Sequence, residues 1–326
     1  MAENGNTAAS TRWKGQEQLR VRAAWLYHVE GLTQSEVAKS LGINRLTVTR
    51  LLADARKRGE VVLRIKSEFS GIIELERNLE QHFGIERAVV APFLDPQGDP
   101  TQTIAAQAGN FVTDLMANGM TVGVGWGRTL FQMLSFVDGR ALSGVKVISL
   151  LGGIGQARRF NPSEFAWQFA ELFDAEGFLV SAPAIVDSAS TKHTLLEHCG
   201  VSHIFELAEH CDVALLSCGG IDSLTTSYRT GHVTESERKS LVEAGAVGDV
   251  LYNFLKADGS LCDHQINERC VSMPLANLAK IKQRILISGG ADKTDIMLAT
   301  IDALNPTVLV TDEQSAKRLL NIKLGL

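Results

Sequence analysis

The apolar positions first fall into helical register between Gly31 and Leu52 (GLTQSEVAKSLGINRLTVTRLL). Val37, Ala38 and Leu41 recur at the three-to-four spacing of one buried helix face. Thr33 precedes them with Glu36 three residues on, the signature of a capping box. Gly42 suits the left-handed turn that ends this helix, Ile43 plugs the corner, and Asn44 caps a second helix. On that helix Leu46, Val48, Leu51 and Leu52 are expected to turn inward. Arg45, Thr47, Thr49 and Arg50 are left outside, a set able to reach base edges and phosphates. The pattern is that of a DNA-reading helix-turn-helix. Upstream, residues 17–30 read as a supporting helix, with Leu19, Ala23, Leu26 and Trp25 toward the later helices and Arg20 and Arg22 toward a DNA backbone. Downstream, residues 60–66 (EVVLRIK) alternate as a strand, the place for a wing carrying Arg64 and Lys66. Residues 72–83 form an amphipathic helix that serves as connector, dimerising helix or body packing.

From Glu86 the period changes. Short apolar runs alternate with amphipathic helices: strands are expected at 87–92, 120–124, 145–151, 178–180, 213–217, 284–288 and 308–310. Helices are expected at 101–117, 130–137, 165–173, after 293 and after Asp312. Such alternation implies right-handed crossovers and a doubly wound, mostly parallel sheet with helices on both faces. The fold class is therefore α/β, with an N-terminal winged helix-turn-helix domain followed by a doubly wound effector domain. The expected boundaries are a disordered tail over 1–14, a DNA-binding domain over 15–66, a connector helix over 67–85 and the α/β domain over 86–326.

Charge separates the two parts. The net charge is −5, yet Arg12–Lys66 carries +7 and residues 67–326 carry −11, with Glu3 making up the difference. A basic head on an acidic body implies that only the head meets a polyanion. At 45% hydrophobic residues the composition is that of a globular protein, and no apolar run reaches the ~20 residues of a membrane span. Five cysteines without close pairing suggest reduced thiols and a cytoplasmic location. The first eleven residues lack the apolar core of a signal peptide.

Four of the strands stop in glycine-rich turns: GVGWGRT at 123–129, GGIGQ at 152–156, CGGID at 218–222 and GGADK at 289–293. Parallel strands put these ends on one edge, where doubly wound folds bind ligands. Gly125 and Gly127 allow backbone N–H groups to approach an anion, to which Arg128 and Thr129 add a cation and a hydroxyl. The plainer alternative is that the glycines only close tight turns. Asp249 and Lys293 are polar groups of the kind that fix a hydroxylated ligand; surface solvation, or for Asp249 a helix cap, is the alternative. The GxGxG spacing lacks the acidic ribose ligand of a dinucleotide site, and no cofactor is expected. Asp249 and Asp222 without a second partner argue against an isomerase or deaminase, so no catalytic residue is assigned. His193, His198, Cys199, His203, His210 and Cys211 are zinc or nickel ligand types in one short segment. A metal-responsive regulator is the alternative they raise, although their spacing matches no closed site.

Taken in order, the helix-turn-helix, "VGVGWGRTL", "SLLGGIG", "APAIVDS", "GAVGDVLYNFLKADG", "ISGGADK" and "LVTDEQSAKRLL" resemble the SorC family of sugar-responsive transcription regulators, from about Gln18 to the C-terminus. The resemblance implies an effector domain with the fold of ribose-5-phosphate isomerase and glucosamine-6-phosphate deaminase. It further implies a sugar, polyol or sugar phosphate bound at the strand ends, and homo-oligomers, tetramers in particular, on operator DNA. On this chain the effector contacts would be Gly125, Trp126, Gly127, Arg128 and Thr129, with Asp249 and Lys293. The DNA contacts would be Gln34, Ser35, Asn44, Arg45, Thr47, Thr49 and Arg50. The expected function is control, preferentially repression, of a carbohydrate or polyol catabolic operon.

Overall fold

The structure is a computed structural model that describes residues 6–61, 70–92, 98–155, 161–222 and 233–326, with side chains from residue 15 onward. The chain divides into two units, Met1–Glu68 and Phe69–Leu326.

The first unit holds α1 (Asn6–His28), α2 (Gln34–Leu41) and α3 (Arg45–Lys57). Helix α1 starts at Asn6, so the segment expected as a disordered tail is helical from there. Only Gly15 interrupts good or fair helix formers over that stretch. Both ends of α2 obey local chemistry. The Thr33 hydroxyl accepts from the Glu36 N–H, Glu36 accepts from the Thr33 N–H at 2.8 Å, and Gly42 sits at φ 65°. Asn44 accepts from the Thr47 N–H at 2.8 Å and starts α3. Ala23, Val37, Val48, Leu52 and Ala55 form the small core, joined by Leu26, Tyr27, Leu32, Ile43 and Leu51. The expected wing, with Arg64 and Lys66, lies outside the described residues.

The second unit runs α4 (Ser70–Phe83), β1 (Arg87–Ala91), α5 (Thr101–Leu115), β2 (Thr121–Val124), α6 (Arg128–Met133), β3 (Lys146–Ser149), α7 (Pro162–Leu172) and β4 (Glu176–Phe178). It continues with α8 (Ala189–His198), α9 (Val201–Glu209), β5 (Val213–Leu216), β6 (Cys218–Gly220), α10 (Glu235–Glu243), β7 (Ala246–Val250) and β8 (Asn253–Lys256). The remaining elements are α11 (Gln265–Arg269), α12 (Leu275–Leu278), β9 (Gln283–Ile287), α13 (Thr294–Leu304), β10 (Val308–Asp312) and α14 (Glu313–Leu324).

Seven strands form one parallel sheet in the order β1-β10-β9-β5-β2-β3-β4. Their residues alternate between two apolar layers. Val213, Leu215, Ile285, Ile287, Val308 and Val310 face the cluster built with α5, α6 and α7, while Ala214, Leu216, Leu286 and Leu309 face the other. Burial on both faces explains why these strands read as unbroken apolar runs. Helix α4 is part of this unit rather than a free connector. Leu79 is fully buried, and Glu80 and Glu76 accept from the backbone N–H groups of Ala88 and Val90 on the edge strand β1, at 3.1 and 2.9 Å. An edge strand so covered is closed to further pairing. A second, antiparallel sheet, β6-β7-β8, takes in Cys218–Gly220, part of a segment expected as a glycine-rich turn. Among the described residues no helix is long and apolar enough to cross a membrane.

Candidate functional site

Strand order reverses between β2 and β5: β3 and β4 continue on one side, β9 and β10 on the other. A switch point of this kind opens a crevice beyond the carboxyl ends of the strands. Here close backbone approach requires glycine. The Gly125 N–H donates to the Leu215 carbonyl at 2.8 Å, and a Cβ on Gly125 would lie 3.1 Å from that oxygen. Gly127, at φ 137°, faces Ser217, whose Cβ would be 3.5 Å from an added Cβ. Gly290 donates its N–H to Asp312 Oδ2 and Ser315 Oγ, at 3.1 and 2.8 Å, which fixes the turn after β9. The glycines after β3 serve packing instead, since a Cβ on Gly152 would strike the Ala182 carbonyl at 2.6 Å.

Arg128 projects from the first turn of α6 to the start of α5. Its Nη1 pairs with Asp99 Oδ2 at 2.8 Å, and Nη2 donates to Asp99 Oδ1 at 3.2 Å and to Thr101 Oγ1 at 2.9 Å. Partial burial would raise the Asp99 pKa. Hydrogen bonds from Thr101 and the positive charges of Arg128 and Lys293 outweigh it and hold the carboxyl below its ordinary value. Lys293 also acts on the fully buried Cys218, whose thiol is pushed up by burial and hydrogen-bonds Ser288 Oγ at 3.3 Å. Asp249 acts on the same thiol. Arg128 is therefore paired with Asp99, while Lys293, in the turn after β9, is within electrostatic reach of both Asp99 and Cys218, and Asp249 of β7 within reach of Cys218. Asp99 and Thr101 had no signal in the sequence beyond a helix start.

Three expected contacts lie deeper than a solvent-facing loop would place them. Trp126 is 6% exposed and its indole stacks on Tyr252, so that ring packs in the core. Thr129, in the first turn of α6, is 2% exposed. Asp249, 4% exposed, accepts from the Tyr252 N–H at 2.9 Å. It thereby holds the tight turn in which Leu251 and Tyr252 have φ of 54° and 60°, angles uncommon for such residues.

In the first unit Arg45 and Arg50 are exposed at the ends of one face of α3, and no ion pair holds either among the described residues. Ser35 and Asn44 are also exposed, while Gln34 and Thr47 are half-buried. Thr49 Oγ1 donates to Gln34 Oε1 at 3.0 Å, and Thr47 Oγ1 to Asn44 Oδ1 at 2.8 Å. A groove of about 740 Å³ runs along Tyr27, His28, Gly31–Ser35 and Arg45. Leu46, expected inside, is 61% exposed, and Trp25 is 57% exposed. Arg20, expected at a DNA backbone, is 7% exposed: Nε donates to Glu60 Oε2 at 2.6 Å, Nη2 to Glu60 Oε1, and Nη1 to Asp54 Oδ2 at 3.3 Å. Among the described residues no three His, Cys, Asp or Glu side chains converge as a metal site, and Cys211 is buried in the core.

The family model for the "Putative sugar-binding domain" matches residues 67–321. The chain is 30% identical over 308 residues to the deoxyribonucleoside regulator of Bacillus subtilis, covering 94% of this chain and 98% of that one. It is 28% identical to the erythritol catabolism regulatory protein EryD of Brucella abortus, covering 93% and 96%. The crystal structure of the full-length sorbitol operon regulator SorC from Klebsiella pneumoniae superposes with a TM-score of 0.71 at 26% identity, over 93% of this chain and 98% of that one. These relatives are regulators of transcription, not enzymes. The chain belongs to the SorC family of sugar-binding transcriptional regulators.

Proposed function

We propose that this regulator represses a carbohydrate or polyol catabolic operon and is released from its operator by a sugar, polyol or sugar phosphate. The observation that carries the effector half is the Arg128–Asp99 pair, with Lys293 within electrostatic reach of it, on the turns that follow the switch-point strands. Cations and hydrogen-bonding groups beyond a switch point suit a polyhydroxylated or phosphorylated ligand. The names of the relatives, which concern a deoxyribonucleoside, erythritol and sorbitol, support the same class. The DNA half rests on the cationic face of α3, whose Arg45 and Arg50 no ion pair holds among the described residues; with Gln34, Ser35 and Asn44 they would meet base edges and phosphates. Each head would read half of a dyad operator, in a cytoplasmic homo-oligomer, a tetramer. Effector binding would favour one of two packings of the bodies and so change the separation of the heads.

The test is a gel shift with the DNA upstream of the protein's own gene, titrated with sugars, polyols and their phosphates. Specific binding relieved by one compound is expected. Specific binding indifferent to every compound would overturn the effector assignment; absence of specific binding would overturn the operator assignment.

A further inference from the structure

The outward face of α3 presents Arg45, Leu46, Thr49 and Arg50, linked by the three- and four-residue spacings 46/49, 45/49 and 46/50 along one side of the helix. Its hydroxyl, and the Asn44 amide that caps the helix, are already occupied within the head. Thr49 gives its hydroxyl to Gln34 and to the Arg45 carbonyl, and Asn44 holds the N-terminal turn. That leaves two cations and one leucine. Leu46 is 61% exposed, whereas Val48 and Leu52 on the opposite side are 0% and 4% exposed. A single exposed leucine needs no explanation on an ordinary surface. This one sits in the first turn of the second helix of a helix-turn-helix, between Arg45 and Arg50, the part of the motif that enters the major groove.

The major groove offers hydrogen-bonding edges and one apolar group, the C5-methyl of thymine. We infer that Leu46 is a specificity-determining residue that packs on a thymine methyl in each operator half-site. It discriminates T·A from the other pairs at that position, while Arg45 and Arg50 contact neighbouring guanines or phosphates. The inference rests on the proposed placement of α3 on DNA and goes beyond it by naming the base and the group that is read.

The experiment uses the full chain and its operator, with each thymine of the half-site replaced in turn by deoxyuridine, which removes the methyl and nothing else. The wild type is expected to lose about fourfold in affinity at one position, the worth of one buried methyl. It should lose nothing of that size at positions where thymine is not contacted. Leu46→Ala is expected to bind the unmodified operator more weakly and to show no further loss at that position. Leu46→Gln, which keeps a side chain of similar length and helix propensity, must show the same lost sensitivity if Leu46→Ala melts early. A flat deoxyuridine profile in the wild type, or the same sensitive position in both variants, would overturn the assignment to Leu46. Failure of the wild type to bind the unmodified operator specifically would overturn the placement of α3, and this inference with it.

Discussion

The indole of Trp126 stacks on the phenol ring of Tyr252, with ring centroids 4.9 Å apart and planes 28° from parallel. Trp126 follows β2 of the parallel sheet, and Tyr252 sits in the tight turn between β7 and β8 of the antiparallel one. The stack is thus a direct tie between the two sheets at the candidate effector edge. Offset aromatic pairs of this kind contribute beyond the area they bury.

Removing that tie should be costly. Trp126→Ala is expected to destabilise the second unit by about 3–5 kcal/mol, the range for a large aromatic cut from a core. Trp126→Phe, which keeps a ring over Tyr252, should lose less. Urea unfolding of both variants measures this, and a Trp126→Ala midpoint equal to wild type would contradict the stack's role.

Asp99 should give the body a pH dependence at acid pH. Its pKa is depressed in the folded protein, with Thr101, Arg128 and Lys293 outweighing the opposing effect of burial. A depressed carboxyl contributes stability that is fully present above its unfolded pKa, about 3.9, and lost as pH falls through the lower folded value. Asp99→Asn is therefore expected to melt below wild type at pH 6, with the gap closing as pH falls below about 4. Melting curves from pH 7 to 3 test the sign; a gap that widens on acidification would reverse it.

The hydrogen bond from Thr49 to Gln34 joins the two helices of the motif. Thr49→Val and Gln34→Ala should each weaken operator binding, and the double variant should lose less than the sum of the two. A coupling of about 0.5–1.5 kcal/mol is expected. Strict additivity would show that the two side chains act separately, Thr49 then being a base contact rather than a brace.

Arg20 and Arg50 should part company in salt. Arg20 is buried against Glu60 and Asp54, so Arg20→Gln should lower the melting temperature of the head while leaving the salt slope of operator binding unchanged. Arg50→Ala should leave the melt alone. If it removes a phosphate contact, the slope of log K against log salt falls by about 0.9. Equal slopes for wild type and Arg50→Ala would assign Arg50 to a base edge instead.

What the sequence determined by itself is the set of features written within a few residues. The capping box of Thr33 and Glu36, the left-handed Gly42, the Asn44 cap and the apolar runs of the parallel strands are of this kind, because each depends on contacts no further than one turn or one pleat away. The glycine-rich strand ends were legible for the same reason, and the order β9-β5-β2-β3 brings all four to one edge. Side-chain direction at the margins of an apolar face was not legible. Leu46 fits a buried stripe by spacing, yet the helices it would need to touch are filled by Val48 and Leu52, and it is left outside. Arg20 looks like a DNA contact until Glu60, forty residues on, arrives beside it. Trp126 looks like part of a ligand loop until Tyr252 covers it, and Arg128 gains its carboxylate from Asp99 across 29 residues. The short strands of the β6-β7-β8 sheet carry too few residues to show a period; β7 and β8 form a local hairpin, but β6 joins them only by pairing with a segment remote in the sequence. Tertiary structure decided these points because burial and charge pairing depend on which remote segment packs alongside, and that is not written in the spacing of any one stretch.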